Sequence, residues 1–431
     1  MSASTAVDKA MNVQEKVQVL QSKLSRVAKQ SLGRRFGALY DKMYRRDVLM
    51  EAWKRVRANH GAPGIDEQDF ESIEKDIGVR TFLAEIRREL KQNRYRPVPV
   101  KRCWIEKEGK PDKRPLGIPI IRDRVVQTAC KLVIEPIFET NFLPCSYGLR
   151  PKCGTKMAIK KIVRMVGFAK QTTILDADIK GFFDNVDHDI LMKLVRKRIS
   201  DPRVLMLIEG WLRAGVMEDG KFHESDGVGT PQGGVISPLL ANIYLHSFDK
   251  MFTESGLSGT LVRFADDLVV ATWGAGSYVR KRVEGMLDRL KLKTNAEKTR
   301  VVRAEDGFDF LGEHFRLRQI KNPRTRHRQH CVIWPSDRSM KRIREKVRKV
   351  VGRRYSMSLE EMIADLNPVL RGWDNYHKAS DAQRKRIVKL NGFVRDRLSI
   401  FLKRKHNSEV KGFGRLSDKV LVRLGLYRFA A

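Results

Sequence analysis

Residues 261–273 read LVRFADDLVVATW. Two apolar runs, 261–264 and 268–271, flank the adjacent carboxylates Asp266 and Asp267. The pattern is that of a β-hairpin carrying the acidic pair in its tight turn. Carboxylates fixed side by side repel one another and call for a nearby cation. Asp is also an ordinary turn residue, so the pair takes its meaning from the rest of the chain.

Upstream, residues 172–179, TTILDADI, read as a buried strand with Asp176 and Asp178 on one face. Buried carboxylates need hydrogen bonds or a cation. Gly181, Phe182, Phe183 and Asp184 follow, then a helix over 189–198 with Ile190, Leu191, Leu194 and Val195 on its apolar side. The stretch 227–234, GVGTPQGG, is a loop rich in exposed backbone, and Ser237-Pro238 opens a helix over 237–252. After the hairpin come a helix over 278–292, Lys298 in NAEKTR, and FDFLG (308–312) as the last strand signal. Strand, helix, helix, hairpin, helix, strand is an α+β order built on an antiparallel sheet.

Toward the N-terminus, Val13, Val17, Leu20, Leu24 and Val27 mark an amphipathic helix, expected to pack on the body, with binding of a partner as the alternative. Helices over 48–57, 73–90 and 122–138 are separated by a Gly- and Pro-rich loop at 59–66 and by a hairpin over 98–119 with a basic tip. Toward the C-terminus, 316–328 reads as a basic linker. Beyond Asp337 the pattern is all helical. Ser358 and Glu361 form a capping box, Pro368 interrupts the next helix, and Ile387, Leu390, Val394, Leu398 and Phe401 line a third helix of a small bundle. The chain after 402 is strongly basic.

Charge narrows the function. Among 431 residues, 86 Lys and Arg oppose 51 Asp and Glu, for a net +35 spread along the chain. A polyanionic partner follows. No apolar run approaches the roughly 18 residues that span a bilayer, and the N-terminus lacks a signal-peptide pattern. A bacterial cytoplasmic, nucleic-acid-associated protein with no membrane partner is the expectation. Five cysteines without a CxxC pair support neither disulfides nor zinc. His327 and His330, near Cys331, sit among basic residues that suit phosphate better than metal.

An Asp-bearing strand, a Gly-rich loop opening a helix and an Asp-Asp hairpin thus share one unit. Carboxylates on adjacent strands can converge on two Mg²⁺ ions roughly 3.5–4 Å apart, as metal-assisted phosphoryl transfer requires. Asp178 is the better partner on the first strand, and Asp176 the one to serve structure.

The blocks YDKMYRRDVLMEAW, NHGAPGID, KRPLGIP, SYGLRP, DADIKGFFDNVDHDIL, GTPQGGVISPLLANIYL, VRFADDLVV, NAEKTR and DFLG resemble, in order, those of group II intron reverse transcriptases. LRGWDNYH resembles part of their thumb, or maturase, domain. The resemblance covers residues 34–405. It implies a right-hand polymerase fold, fingers and palm with an antiparallel sheet, followed by an all-α thumb/maturase bundle. The domains would be an N-terminal helical extension (1–33), fingers (34–170), palm (171–320), basic linker (321–336), thumb/maturase (337–402) and a basic DNA-binding tail (403–431).

The resemblance also implies roles. Asp178, Asp266 and Asp267 would coordinate two Mg²⁺ ions, with Asp266 the closer ligand of the adjacent pair. Phe182 would lie under the incoming sugar and reject a 2′-hydroxyl; an ordinary core ring is its other reading. Gln232 would touch the nucleotide while Gly233 and Gly234 let backbone approach the pairing bases. Lys107 and Arg114 would clamp the triphosphate, and Lys298 would donate a proton to pyrophosphate; solvated surface cations are the alternative. Phe310, Leu311 and Gly312 would support the primer. The partners would be group II intron RNA or another RNA template, a DNA primer or target, and dNTPs.

Phe264 stands where these proteins usually have Tyr, and Leu149 where Phe is usual. The sequence ends at Ala431 without the Cys- and His-containing nuclease domain that many relatives append, so a compact, nuclease-free class that inserts without cutting the second strand is expected. The function implied is RNA-directed DNA synthesis together with assistance to intron splicing and mobility. A domesticated reverse transcriptase in repair, phage defence or CRISPR adaptation, and a non-enzymatic RNA-binding splicing factor, are the alternatives.

Overall fold

The computed structural model describes residues 11–106, 113–322, 325–352, 356–378, 384–406 and 417–429. The strands in chain order are β1 (Val100–Glu106), β2 (Lys113–Ile118), β3 (Thr173–Asp178), β4 (Val216–Glu218), β5 (Lys221–His223) and β6 (Gly259–Phe264). There follow β7 (Asp267–Thr272), β8 (Arg300–Arg303), β9 (Phe308–Phe310), β10 (Glu313–Asn322) and β11 (Thr325–Pro335). They form three sheets, ordered β2-β1-β4-β5, β6-β7-β3-β8 and β11-β10-β9. The class is mixed α+β with a helical C-terminal region.

The middle sheet is antiparallel throughout, and its register sorts the side chains. Leu175, Ala177, Leu268 and Val270 face the main core with the helices Ser237–Glu254 and Gly276–Asp288. The opposite face is apolar at one end, where Ile174, Ala271, Val262 and Val269 join a second cluster beneath β9–β11 and the helix Thr155–Val163. At its other end the same face carries Asp176, Asp178 and Asp267. Strand alternation therefore runs one face of one sheet from hydrocarbon to carboxylate.

The stretch expected as a linker is sheet. β10 and β11 pair antiparallel from Glu313↔Pro335 to Asn322↔Thr325. Phe315, Leu317, Cys331 and Ile333 are buried in the second cluster while Arg316 and Arg318 alternate with them. Basic residues at every second position hid the apolar period. FDFLG is accordingly not the last strand. The helix Pro202–Arg213 and the short β4–β5 hairpin are further elements that the sequence reading lacked.

The N-terminal helix Val13–Gln30 begins on an Asn12–Glu15 capping box and buries Val17, Leu20, Leu24 and Ala28. Gln21 Nε2 donates to the Leu132 carbonyl at 3.0 Å in the helix Ile121–Phe138. It is thus part of the main core, as its apolar spacing anticipates.

In the C-terminal region, Asp337–Val351, Leu359–His377, Arg384–Lys405 and Asp418–Arg423 share a third core. Pro368 lies inside the second of these helices without ending it. Leu366 and Leu370 on either side are both fully buried, and their packing offsets a lost backbone hydrogen bond and ring clash worth about 3 kcal/mol. The described part of the expected basic tail contributes two residues to this core. Leu421 and Phe429 are buried, and Asn391 exchanges side-chain hydrogen bonds with the Phe429 backbone at 3.1 and 3.2 Å. The tip of the β1–β2 hairpin, with Lys107, lies outside the described residues.

Leu24→Ala is expected to cost about 2–5 kcal/mol in urea unfolding, the price of a large-to-small change in a packed core; a loosely attached helix would lose nothing.

Candidate active site

The hairpin β6–β7 turns through Ala265 and Asp266, with Phe264 paired to Asp267. Asp267 is therefore the first residue of a strand rather than a turn residue, and it pairs across to Asp178 at the end of β3. Ala265 has φ 57, the left-handed value that a two-residue hairpin loop takes at its first position. Sheet register and turn geometry together bring three carboxylates to one corner.

Their electrostatics show the strain of that arrangement. Burial pushes Asp267 up to about 7, the charges of Asp266 and Asp178 push in the same direction, and its carboxyl shares a hydrogen bond with Asp178. Because Asp267 stands exposed at the cleft, the crowding of like charge is the more secure cause. Asp266 is also raised, by burial and by Asp178, with Arg114 and Lys298 opposing. Asp176 is pushed to about 6 by burial, against the pull of Arg300. Two cations bracket the strand: Lys298 Nζ lies 2.6 Å from Asp178 Oδ2, and Arg300 Nε 3.1 Å from Asp176 Oδ2.

Behind the turn sits a residue that the sequence reading passed over. Arg263, 0% exposed, forms an ion pair with the equally buried Asp249 at 2.7 and 2.6 Å. The same guanidinium donates to Asn242 Oδ1 at 3.2 Å, Ser146 Oγ at 2.8 Å and the Ala265 carbonyl at 3.0 Å. Asn242 in turn donates to the Gly148 carbonyl at 3.0 Å. A Cβ on Gly148 would stand 2.4 Å from the Ala265 nitrogen, so only glycine admits this contact. The signal was present in the sequence: Arg263 is a lone charge inside an otherwise apolar strand, between Val262 and Phe264.

The carboxylates open onto a cleft of about 1030 Å³ that runs from Asp178 and Asp267, past Lys298, to Phe310, Leu311 and Gly312 and on to Tyr376 in the C-terminal region. Three hydrogen bonds bind its two walls. Tyr376 OH donates to the Leu311 carbonyl at 2.7 Å, while the Ser336 amide and Ser339 hydroxyl donate to the Gly312 carbonyl at 2.9 and 2.8 Å. His377 Nδ1 lies 2.8 Å from Glu313 Oε1, both buried.

Residues 105–315 match the model of the reverse transcriptase (RNA-dependent DNA polymerase) family, and residues 340–417 that of the group II intron maturase-specific domain. Protein YkfC of Escherichia coli (strain K12) is 35% identical over 305 residues, which span 61% of this chain and 79% of that protein. The group II intron-encoded protein LtrA of Lactococcus lactis subsp. cremoris is 38% identical over 236 residues, 54% of this chain. This chain belongs to the group II intron reverse transcriptase and maturase family. An uncharacterized 91 kDa protein in the cob intron of Schizosaccharomyces pombe is 27% identical over 415 residues, 78% of this chain. The matches span 38% of LtrA and 50% of the fission-yeast protein.

The chain brings Asp178, Asp267, Lys298 and the Phe310–Gly312 loop to one cleft. Asp266, in the adjoining turn, is not among the residues lining it, though the charges of Asp178, Lys298 and Arg114 act on its carboxyl. Phe182 is not brought there. Its ring is 2% exposed and packs edge-on against Phe183 and Tyr244, and Phe183 is the half-buried ring of the two. The Gly-rich loop meets protein backbone rather than open space: the Gly117 amide donates to the Gln232 carbonyl at 2.6 Å. Gly233, at φ 113, would place a Cβ 2.4 Å from the Gly117 carbonyl oxygen. This glycine is needed for the loop to seat on β2. Among the described residues no three His, Cys, Asp or Glu side chains form a ready-made metal cage. The donor set still fits a hard cation, because Mg²⁺ takes one or two carboxylates and leaves its other positions to water and substrate phosphates.

Two outcomes follow. A carboxyl raised in the folded state stabilises below the ordinary carboxylate value, and that contribution is lost as pH rises through the folded value. Without divalent cations, thermal stability should therefore fall between about pH 4 and pH 7; Asp267→Asn should flatten the fall, and added Mg²⁺ should restore stability at the upper end. Arg263→Met, which strands the buried Asp249, should cost about 3–5 kcal/mol in chemical denaturation. Pairing it with Asp249→Leu should recover stability but not turnover, because the Ala265 carbonyl still lacks its donor.

Proposed function

We propose that the chain copies RNA into DNA at a two-ion Mg²⁺ centre held by Asp178, Asp266 and Asp267, on a right-hand scaffold. In this reading β1–β2 belongs to the fingers, β3 and β6–β8 to the palm, and the C-terminal helices to the thumb. The observation that carries it is the shared hydrogen bond and mutual charge of carboxylates drawn from two strands, a grouping that costs free energy unless cations neutralise it. When bound, the ions would activate a 3′-hydroxyl and neutralise the triphosphate and leaving pyrophosphate.

The chain's own residues supply the rest. Arg263 fixes the turn that aims Asp266, and Arg114 adds positive charge on the approach taken by a triphosphate. The 2.6 Å contact of Lys298 with Asp178 supports a proton-donating role for this ammonium beside the leaving group. The Phe310–Gly312 loop, hydrogen-bonded to the helical region, supports the primer strand. Selection against ribonucleotides is assigned to Phe182 and Phe183 together, the buried ring backing the half-buried one. Gln232 lies beside the incoming nucleotide.

The maturase-specific match and a net charge of +35 support intron RNA as the cognate partner, with a role in splicing and mobility. A bacterial cytoplasmic setting is part of the same reading; no described helix is long and apolar enough to cross a membrane.

Primer extension on an RNA template with dNTPs and Mg²⁺ tests the proposal. Asp178→Asn and Asp266→Asn should each raise the barrier by about 3 kcal/mol or more, a hundredfold or greater loss of kcat. An unchanged rate for either variant would refute the assignment.

A further inference from the structure

The far end of the catalytic sheet carries a second surface with a different chemistry. The helix Thr155–Val163 continues through a wide turn, Arg164–Phe168. Lys156, Lys160, Arg164 and Phe168 recur at every fourth position and are all exposed. Phe168 is 76% exposed, the most of any large apolar side chain described. Trp273 is 59% exposed and donates its indole N–H to the Ala169 carbonyl at 2.9 Å, which anchors it to the backbone of the residue that follows Phe168. A groove of about 630 Å³ runs from Lys160, Val163 and Arg164 past Phe168 to His330 and Ile333 on β11.

Electrostatics decide the occupant. No acidic residue occurs between Glu139 and Asp176, while Lys156, Lys160, Lys161, Arg164 and Lys170 fall in that interval. None of these five forms an ion pair among the described residues. Trp273 follows the last residue of β7, whose first residue is Asp267. Five strand steps put the two ends roughly 17 Å apart, and the groove shares no lining residue with the catalytic cleft. Exposed rings flanked by unpaired cations are what single-stranded nucleic acid uses, bases stacking on the rings and phosphates lying on the cations.

We propose that Phe168 and Trp273, with Lys160 and Arg164, form a binding surface for single-stranded RNA separate from the catalytic cleft. The proposal deepens the intron-RNA reading by naming where unpaired bases dock. Unpaired RNA is the occupant because the family's maturase domain points to an RNA partner and because stacking on exposed rings needs bases that are not already paired.

The test uses the full chain with its cleft filled by an RNA–DNA primer–template duplex. A fluorescein-labelled oligoadenylate RNA of about 15 nucleotides, near the site size of such platforms, is then titrated by anisotropy. Phe168→Ala should weaken its binding about 5- to 100-fold, whereas Phe168→Tyr should hold it within about twofold. Lys160→Ser and Arg164→Ser should each lower the salt slope by about one. Primer extension should be unchanged in all four. Unaltered binding by Phe168→Ala overturns the proposal, as does a parallel loss of primer extension. Equal affinity for the deoxy-oligonucleotide overturns the RNA assignment, and a dimer that Phe168→Ala dissociates makes the face a self-interface instead. Asp266→Asn separates the two readings: it should abolish extension and leave oligoadenylate binding intact.

Discussion

The geometry of the site depends on one fully buried guanidinium. Arg263 leaves water entirely, which is tolerable only because Asp249 neutralises it and further acceptors take its remaining N–H groups. Counting Asp249, the acceptors come from three places: Asn242 and Asp249 on the helix Ser237–Glu254, Ser146 in the segment before Gly148, and the turn at Ala265. The result ties the left-handed residue of the hairpin to the framework one position before the acidic pair. Charge is costly to bury, and here the cost fixes where the carboxylates point.

In front of that turn the sign of the problem reverses. Asp178, Asp266 and Asp267 crowd negative charge, and protein cations answer only part of it. Lys298 takes one oxygen of Asp178, and Arg300 offsets Asp176 one pair along the strand. Asp266 and Asp267 keep raised affinities for protons. Carboxylates crowded in this way cost stability, and the proposed cations would relieve that cost. The Ser336, Ser339 and Tyr376 donors hold the opposite wall in register with this corner through the Leu311 and Gly312 carbonyls.

Two of the corrections share a cause. The β10–β11 hairpin looked like a linker because Arg316 and Arg318 occupied outward positions and masked the inward alternation of Phe315, Leu317, Cys331 and Ile333. Pro368 read as an interruption of an apolar face that resumes at Leu370, yet the buried Leu366 and Leu370 hold one unbroken helix. Phe182, which the resemblance implied under the sugar with a core ring as its other reading, turns into the core toward Tyr244 and leaves Phe183 the half-buried ring. For the hairpin and the proline, tertiary burial overrode a local signal.

Sequence alone determined the carboxylate pair in a hairpin, the Asp strand, the loop before Ser237, the amphipathic N-terminal helix and the helical C-terminal region. Those features rest on periodicity, turn chemistry and charge, which are local properties of the chain. Only the tertiary structure decided that Asp178 faces Asp267, that Lys298 rests on Asp178, that Gly148 and Gly233 are needed for backbone contact, and that Arg263 lies beneath the turn. Each joins residues far apart in the chain, and register between distant strands is set by the whole core rather than by either strand.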